Sequence, residues 1–460
     1  MLRWVRVSPN GRQVVFQALG YLYVRDLPNG SPQRLTSQND HFEFCPNFSR
    51  DGKELVYTTW NDKTLGQCRI LDLSTKQSRV ITSQPGHYLD PVFSPDGQTI
   101  VFRKAGGGYL RSHLWSQDPG LYRVNQSGGE AEQVSKRGKH PQFAETNDRI
   151  FFIVSSPDKD ADHVRLISTD LDGHEEQEHY SSKWATDFAL SPDGKRIAFI
   201  ERFNVHLAPF VRAGKAIEVG PEAKGIPVTK VSEQAGDWIH FSADSTQLHW
   251  ALGSQMHTKD LSDLQKVSTM QDLSWEVPHA KPTTTYALTG AKVVTMSDKG
   301  ILEDASILVE GNRIAAVGTR SEVEIPDTAI QIDIAGQVIL PGFIDTHAHG
   351  SQASQGITPQ QNWVDLARLA FGVTTVHDPS NDTKEIFAAS EMTQAGVITA
   401  PRTFSTGTIL YGARGSFRAE VNTLPDATLH LERMQAVGEH KVKSYTQPRR
   451  DQRQPDVPAP

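Results

Sequence analysis

Cysteine is nearly absent. Cys45 and Cys68 are the only two in 460 residues, which excludes a disulfide scaffold and a cysteine-built zinc site. The two could bridge each other or stay as buried free thiols, so they leave the compartment open. Long apolar runs are missing as well. No stretch suffices to span a bilayer, and Met1-Leu2-Arg3-Trp4-Val5-Arg6 leads straight into a strand and turn without the apolar core of a signal peptide. As written, the chain is expected not to be exported. Neither sign of charge dominates: 47 Lys and Arg against 54 Asp and Glu give a net charge of -7 with no long basic run. That argues against nucleic acid or an anionic membrane as the main partner.

Turn-forming residues are plentiful. With 35 Gly, 26 Pro, 37% apolar and 22% charged residues, the composition suits a soluble, β-rich protein, and the length calls for two or three domains. A short pattern recurs through the first part of the chain: an apolar residue, a small residue, a Pro/Asp/Gly turn, then an apolar run ending in an aromatic. Its small residue stands at positions 8, 49, 94, 144, 191 and 242. The fullest copies are Phe93-Ser94-Pro95-Asp96-Gly97 and Leu190-Ser191-Pro192-Asp193-Gly194, and Ala144-Glu145-Thr146-Asn147 departs from the pattern. Pro presets φ for a turn and Asp and Gly complete it, so each copy reads as a hairpin. A second strand pair follows several copies, as in Leu22 to Asp26 with Arg34 to Thr36. Four strands per 40 to 50 residues predict a β-propeller of six blades over residues 1–276. No strand precedes the first hairpin to complete its sheet, which points to a missing N-terminal piece.

A Pro- and Thr-rich stretch, 277–285, reads as a linker. Residues 286–340 then show short alternating strands with hairpin signals and predict a small β-sandwich. From 341 to 460 the period switches to alternating strand and helix. Thr358 and Pro359 are expected to start a helix that carries Trp363, Leu366, Ala367 and Ala370 on one face. Strands are expected at Val373 to Val376, near Arg402 to Ser405, and at Lys441 to Tyr445. Between them fall helices from Thr383 to Ala395 and from Pro425 to Val437. These four βα steps predict the first half of a parallel (β/α)8 barrel, in which functional residues sit at the C-terminal strand ends.

Such an end is marked by Ile339-Leu340-Pro341-Gly342-Phe343-Ile344-Asp345-Thr346-His347-Ala348-His349-Gly350. Alternate side chains of a strand share a face, so His347 and His349 can reach one metal ion. With 17 His in the chain a bare His-x-His arises by chance about as often as not, and it is the apolar run, the Pro-Gly bend and the Asp ahead of the pair that carry the reading.

The segment Gly342 to Gly350, after a small sandwich, resembles the start of the amidohydrolase superfamily of metal-dependent hydrolases. The propeller repeats resemble the TolB-like (PD40) family. The combination, with Gly372-Val373-Thr374-Thr375-Val376-His377-Asp378-Pro379 and Val442-Lys443-Ser444-Tyr445, is similar to a subgroup of bacterial amidohydrolase-like proteins. The resemblance implies a divalent metal, zinc first, held by His347 and His349, with Lys443 as a bridging ligand if carboxylated, since only the carbamate offers anionic oxygens. It implies hydrolysis of non-peptide carbon-nitrogen bonds in an amide or cyclic amide through a metal-activated water. Asp345 would orient a ligand His, and His377, Asp378 and Tyr411 would line the pocket or remain structural loop residues. Related proteins are often exported, which again leaves localisation open.

The family also draws two His from later strands and an Asp from the eighth. Only 120 residues run from Pro341 to Pro460, against roughly 250 for a full barrel, so truncation or a frameshift is the expectation, with no complete catalytic set and little or no activity. Pro448-Arg449-Arg450-Asp451-Gln452-Arg453-Gln454 looks like a family motif that Pro455 to Pro460 interrupts. Two rivals remain. One is a propeller that binds a protein partner and carries a vestigial hydrolase half. The other is a serine peptidase of the prolyl oligopeptidase type, which needs a Gly-x-Ser-x-Gly elbow that the sequence lacks.

Overall fold

The structure, a computed structural model, describes residues 1–107, 116–155, 163–413 and 417–447; the motif at 448–454 lies outside them. Six antiparallel sheets follow one another along the chain. Blade I consists of Arg3–Val7, Gln13–Ala18, Tyr21–Asp26 and Gln33–Arg34, and blade II of Phe42–Phe48, Glu54–Trp60, Cys68–Asp72 and Ser78–Val80. Blade III is His87–Phe93, Thr99–Ala105, Gly120–Asn125 and Glu132–Ser135. Blade IV begins with Lys139–Gln142, Arg149–Ser155, Val164–Asp170 and Gln177–Ser182. Blade V is Ala185–Leu190, Arg196–Glu201, Asn204–Pro209 and Thr229–Lys230, and blade VI is Asp237–Phe241, Gln247–Leu252, Gln255–Asp260 and Thr269–Asp272. Between the third and fourth strands of blade V the chain lends Ile217–Glu218 to the outer edge of blade IV, paired in parallel with Tyr180 and Ser181.

The repeated turn explains itself chemically. In blade III, Ser94 Oγ donates to Asp96 Oδ1 (2.6 Å) and accepts from Thr99 N (2.9 Å), while Gly97 N returns to Ser94 O (2.8 Å). Gly97 sits at φ +74°, a region costly for a residue with a Cβ. Hydroxyl, carboxylate and glycine thus each satisfy one strand-end group that would otherwise be unpaired.

Each blade packs on the next through one apolar cluster. Val15 and Leu22 meet Leu55 and Tyr57; Val56 and Ile70 meet Ile100 and Phe102; Val101 and Leu121 meet Ile150 and Phe152. Phe151 and Leu166 then meet Ile197 and Phe199, and Ala198 and Val205 meet Leu248 and Trp250. The sixth cluster joins Ala251 and Met256 of blade VI to Val14 and Phe16 of blade I. Blade I builds its four strands from its own residues, so no strand is shared at this seam, and the ring closes by side-chain packing. Cys45 and Cys68 are free and buried.

The strands after the propeller lie in one five-stranded sheet rather than two facing layers. The ten-residue strand Thr285–Val294 pairs with Ile301–Glu310 on one edge and with both Ile330–Asp333 and Val338–Ile339 on the other, and Ile301–Glu310 pairs onward with Arg313–Thr319. Its length and the bulge around Gly290, at φ +80°, let it serve all of these partners.

Two βαβ steps follow. Phe343–Asp345, Val373–Asp378 and Arg402–Ser405 form a parallel sheet connected through helices α1 (Trp363–Ala370) and α2 (Thr383–Gln394). A third step leads from Leu410–Tyr411 through α3 (Leu424–Ala436) to Ser444–Tyr445, but these two strands pair only with each other. The described residues therefore form an open three-stranded sheet and a separate ladder, and no closed barrel.

Helix α1 starts later than Thr358 because residues 358–361 are bonded to the propeller. Thr358 Oγ1 accepts from Arg3 Nη1 (3.1 Å), and the amides of Gln360 and Gln361 donate to Asp62 (3.0 and 2.7 Å). Asn362 is the N-cap, accepting from Val364 N. Trp363 is half exposed, and the buried residue of α1 is Asp365. Apolar packing of Trp4, Phe44 and Trp60 against Ile357 and Met392 completes the contact with the propeller. No helix among the described residues is long and apolar enough to cross a membrane.

Candidate functional site

The strand leading to the histidine pair ends at Asp345, and His347 and His349 occupy the loop beyond it. This loop is held to the neighbouring strand end. Ala348 N donates to His377 O (3.0 Å), His347 N donates to Asp345 Oδ1 (3.0 Å), and Asn381 Nδ2 donates to Gly350 O (2.8 Å). The two imidazoles are exposed, with ring centroids 5.0 Å apart and planes at 80°.

Asp378, only 2% exposed, lies 3.2 Å from His349 Nδ1 through Oδ1. That carboxylate is itself fixed by Ser380 N (2.9 Å) and Asn381 Nδ2 (2.8 Å). A buried carboxylate against Nδ1 favours the tautomer with hydrogen there and leaves Nε2 as the free lone pair, the arrangement metal-binding histidines use. Asp345, by contrast, serves the backbone of His347. Beneath the loop, Arg368 joins Asp365 (2.8 Å) to His349 O (2.8 Å). Sequence reasoning missed Asp365, Arg368 and Asn381; the i,i+3 Asp-Arg pair in the helix after the His segment was the available signal.

Of the other expected residues, Lys443 and Tyr411 lie apart from the pair, on elements that do not bond to its loop. Lys443 places its ammonium 5.0 Å from the centre of the Tyr445 ring, and Tyr411 stacks on Phe417 at 4.8 Å. Tyr411 belongs to the separate two-stranded ladder, and Lys443 immediately precedes its second strand. His377 is partly buried, with Nε2 lacking a hydrogen-bond partner. Among the described residues no three His, Cys, Asp or Glu side chains converge as a metal group. The pair and Asp378 thus fit two ligands and their support, but the described residues do not fit a complete metal centre.

A second feature lies in the propeller channel, a cavity of about 280 Å3. The residue four before each repeat marker lines it: Trp4, Cys45, Asp90, His140, Asp187 and Trp238. Five of these adopt φ between 48° and 58°, at bulges in the innermost strands, and Asp187 holds the sixth place. The same bulge thus recurs at one place in five of the six blades and turns these side chains toward the channel. His140 Nδ1 meets Asp187 Oδ1 at 2.7 Å. Desolvation in the channel works to lower the pKa of His140, but Asp187 and then Asp90 overcome it and the net shift is upward. For Asp187, desolvation works upward, and His140 reverses it to a net lowering. The imidazolium therefore stabilises the fold below its unfolded pKa, and this contribution is lost as pH rises through the raised folded value. The carboxylate's share is lost as pH falls through its lowered one. In urea titrations, His140→Gln should be less stable than the parent between those limits and converge on it as pH rises past the His140 value. A stability difference that does not change with pH would remove the pair as its cause.

The model of the TolB beta propeller domain matches residues 5–205. The chain carries a TolB-like propeller. A TolB structure from Acinetobacter baumannii is similar over 58% of this chain and 62% of that one, at 17% identity and TM-score 0.42. Two curated relatives are similar over short stretches. An imidazolonepropionase of Mycolicibacterium smegmatis is 46% identical over 50 residues, 11% of this chain and 12% of that protein. A dihydroorotase of Mycobacterium leprae is 49% identical over 81 residues, 18% of each. The chain thus spans less than a fifth of the length of either relative.

Proposed function

We propose that the TolB-like propeller carries part of a metal-dependent amidohydrolase, with His347 and His349 as two ligands of a divalent ion, zinc first, and a small amide or cyclic amide as the substrate class. The observation that carries this reading is the contact of His349 Nδ1 with buried Asp378 beside His347, at the C-terminal end of a parallel sheet. The short similarities to an imidazolonepropionase and a dihydroorotase support the same chemistry. A bound divalent ion supplies Lewis acidity to a carbonyl and to water. This chain's residues contribute orientation: Asp378 fixes the His349 ring, and Arg368 fixes its backbone. With no third ligand converging among the described residues, the chain should hydrolyse cyclic amides no faster than free zinc at the same concentration. The check is ring opening followed by absorbance, with His347→Ala as control. Turnover above free zinc that disappears in His347→Ala would show a complete site and overturn the half-site reading.

The repeated bulge in the channel favours a second role, in which the propeller binds a partner at the ring formed by Asp90, His140 and Asp187.

A further inference from the structure

Between the hairpin tips of blades V and VI and the helices α2 and α3 lies a separate cavity of about 220 Å3. Arg433, on α3, lines it and is 5% exposed. Its Nε and Nη2 have no hydrogen-bond partner among the described residues. These two nitrogens share one edge of the planar guanidinium, the fork that receives both oxygens of a carboxylate. Glu439, also 5% exposed, does not close the fork. Its Oε1 accepts from Thr383 Oγ1 (2.7 Å), its Oε2 is unpartnered, and no ion pair joins it to Arg433 among the described residues. Burial pushes the Glu439 carboxyl up to about 7, so at neutral pH it supplies only part of a counter-charge. Burial lowers the Arg433 pKa to about 10, which leaves the guanidinium charged. Glu439 and Asp237 act against burial to hold the charge, but among the described residues neither lies within ion-pair distance of the guanidinium, and a buried cation so placed is costly to keep.

A second, independent observation points to the same place. The two-residue tip of the blade V hairpin is Arg202-Phe203, with φ of 46° and 74°. Turns with both central residues in this region favour Asn-Gly, because a Cβ is strained there. The strained turn brings Phe203 under Arg433, with the guanidinium carbon 3.7 Å from the ring centre. The remaining lining is mixed: Leu2, Ile200, Leu252 and Phe417 give an apolar part, while Asp382 and the Lys384–Asp237 ion pair give a charged one.

We propose that this cavity is a binding site for a small monocarboxylate with an apolar tail, the carboxylate received by the open Arg433 fork over Phe203 and the tail by the apolar part of the lining. The occupant would touch blades V and VI together with α2 and α3, so binding would tighten their contact. Phosphate could use the same fork but not the apolar part, and the test separates the two.

The experiment is calorimetry and thermal melting of the full chain with phenylacetate and, separately, inorganic phosphate. Phenylacetate should bind at one site with sub-millimolar Kd and raise the melting temperature. Arg433→Lys, which keeps the charge but loses the fork, should weaken binding at least about tenfold, and Ala235→Leu, which adds volume to the cavity lining and leaves the guanidinium in the sequence, should abolish it. Both variants should retain the parent's circular dichroism; if one does not, the other carries the test. Binding of phosphate but not phenylacetate would overturn the carboxylate assignment. No binding of either, or phenylacetate binding unchanged in the folded variants, would overturn the site.

Discussion

Phe16→Ala should destabilise the protein by about 3–5 kcal/mol, the cost of deleting a fully buried aromatic side chain and leaving a cavity. Phe16 is 0% exposed and lies at the seam where blade I meets blade VI. Its ring stacks on Tyr23, at 6.2 Å between centroids, and meets Trp275 at a tilt of 44° and 5.6 Å. Other blade junctions are reinforced along the chain by the connection from one sheet to the next. This one joins sheets far apart in sequence, with no shared strand, so side-chain packing and a few bonds such as Arg25 Nη1 to Asp272 O (2.8 Å) hold it. Phe371→Ala is the matched control. That ring is 81% exposed, and its loss should change stability by less than about 0.5 kcal/mol. Urea denaturation of the two variants decides the matter, since similar midpoints would mean that the ring is not closed by this cluster.

The second large effect is expected at the histidine pair. If His347 and His349 are the two ligands this segment contributes, removing both should lower zinc affinity by more than about 100-fold, beyond the 10–100-fold typical for loss of an outer partner. Asp378→Ala should fall in that smaller range, because it leaves both imidazoles and removes only the carboxylate 3.2 Å from His349 Nδ1. The order of the effects matters as much as their size. Adventitious binding by the two exposed imidazoles alone would respond to the double variant but not to Asp378→Ala, since Asp378 is buried and cannot itself offer a surface ligand.

What could be read from the sequence was what local chemistry determines. In five of the six copies the marker Ser bonds within six residues of itself, so the copies in register, with Ala144 as the degenerate one, announced six sheets. The helices α2 and α3, legible to within a residue or so at each end, also carried local caps: Asp382 accepts from Lys384 N and Glu385 N, and Thr423 forms a capping box with Asp426. Pairings over long separations left no such mark. Ile217–Glu218 adds to blade IV rather than blade V, and Asp62 captures Gln360 and Gln361, shifting the start of α1 from Thr358 to Trp363. At the site, the spacing of His347 and His349 showed that they could lie together. That Asp378 rather than Asp345 meets an imidazole depends on which strands are neighbours, and hydropathy does not encode that. Arg433 and Glu439 looked like ordinary charged positions on and after an amphipathic helix, and only tertiary packing buries them.

Metal binding by the pair His347/His349 is the property on which the proposed function depends. The direct measurement is equilibrium dialysis against a fixed zinc concentration, with metal content determined for the parent chain, the His347→Ala/His349→Ala double variant and Asp378→Ala. The account predicts one zinc per parent chain, an intermediate value for Asp378→Ala and none above background for the double variant. Equal zinc in all three, or none in the parent, would contradict it.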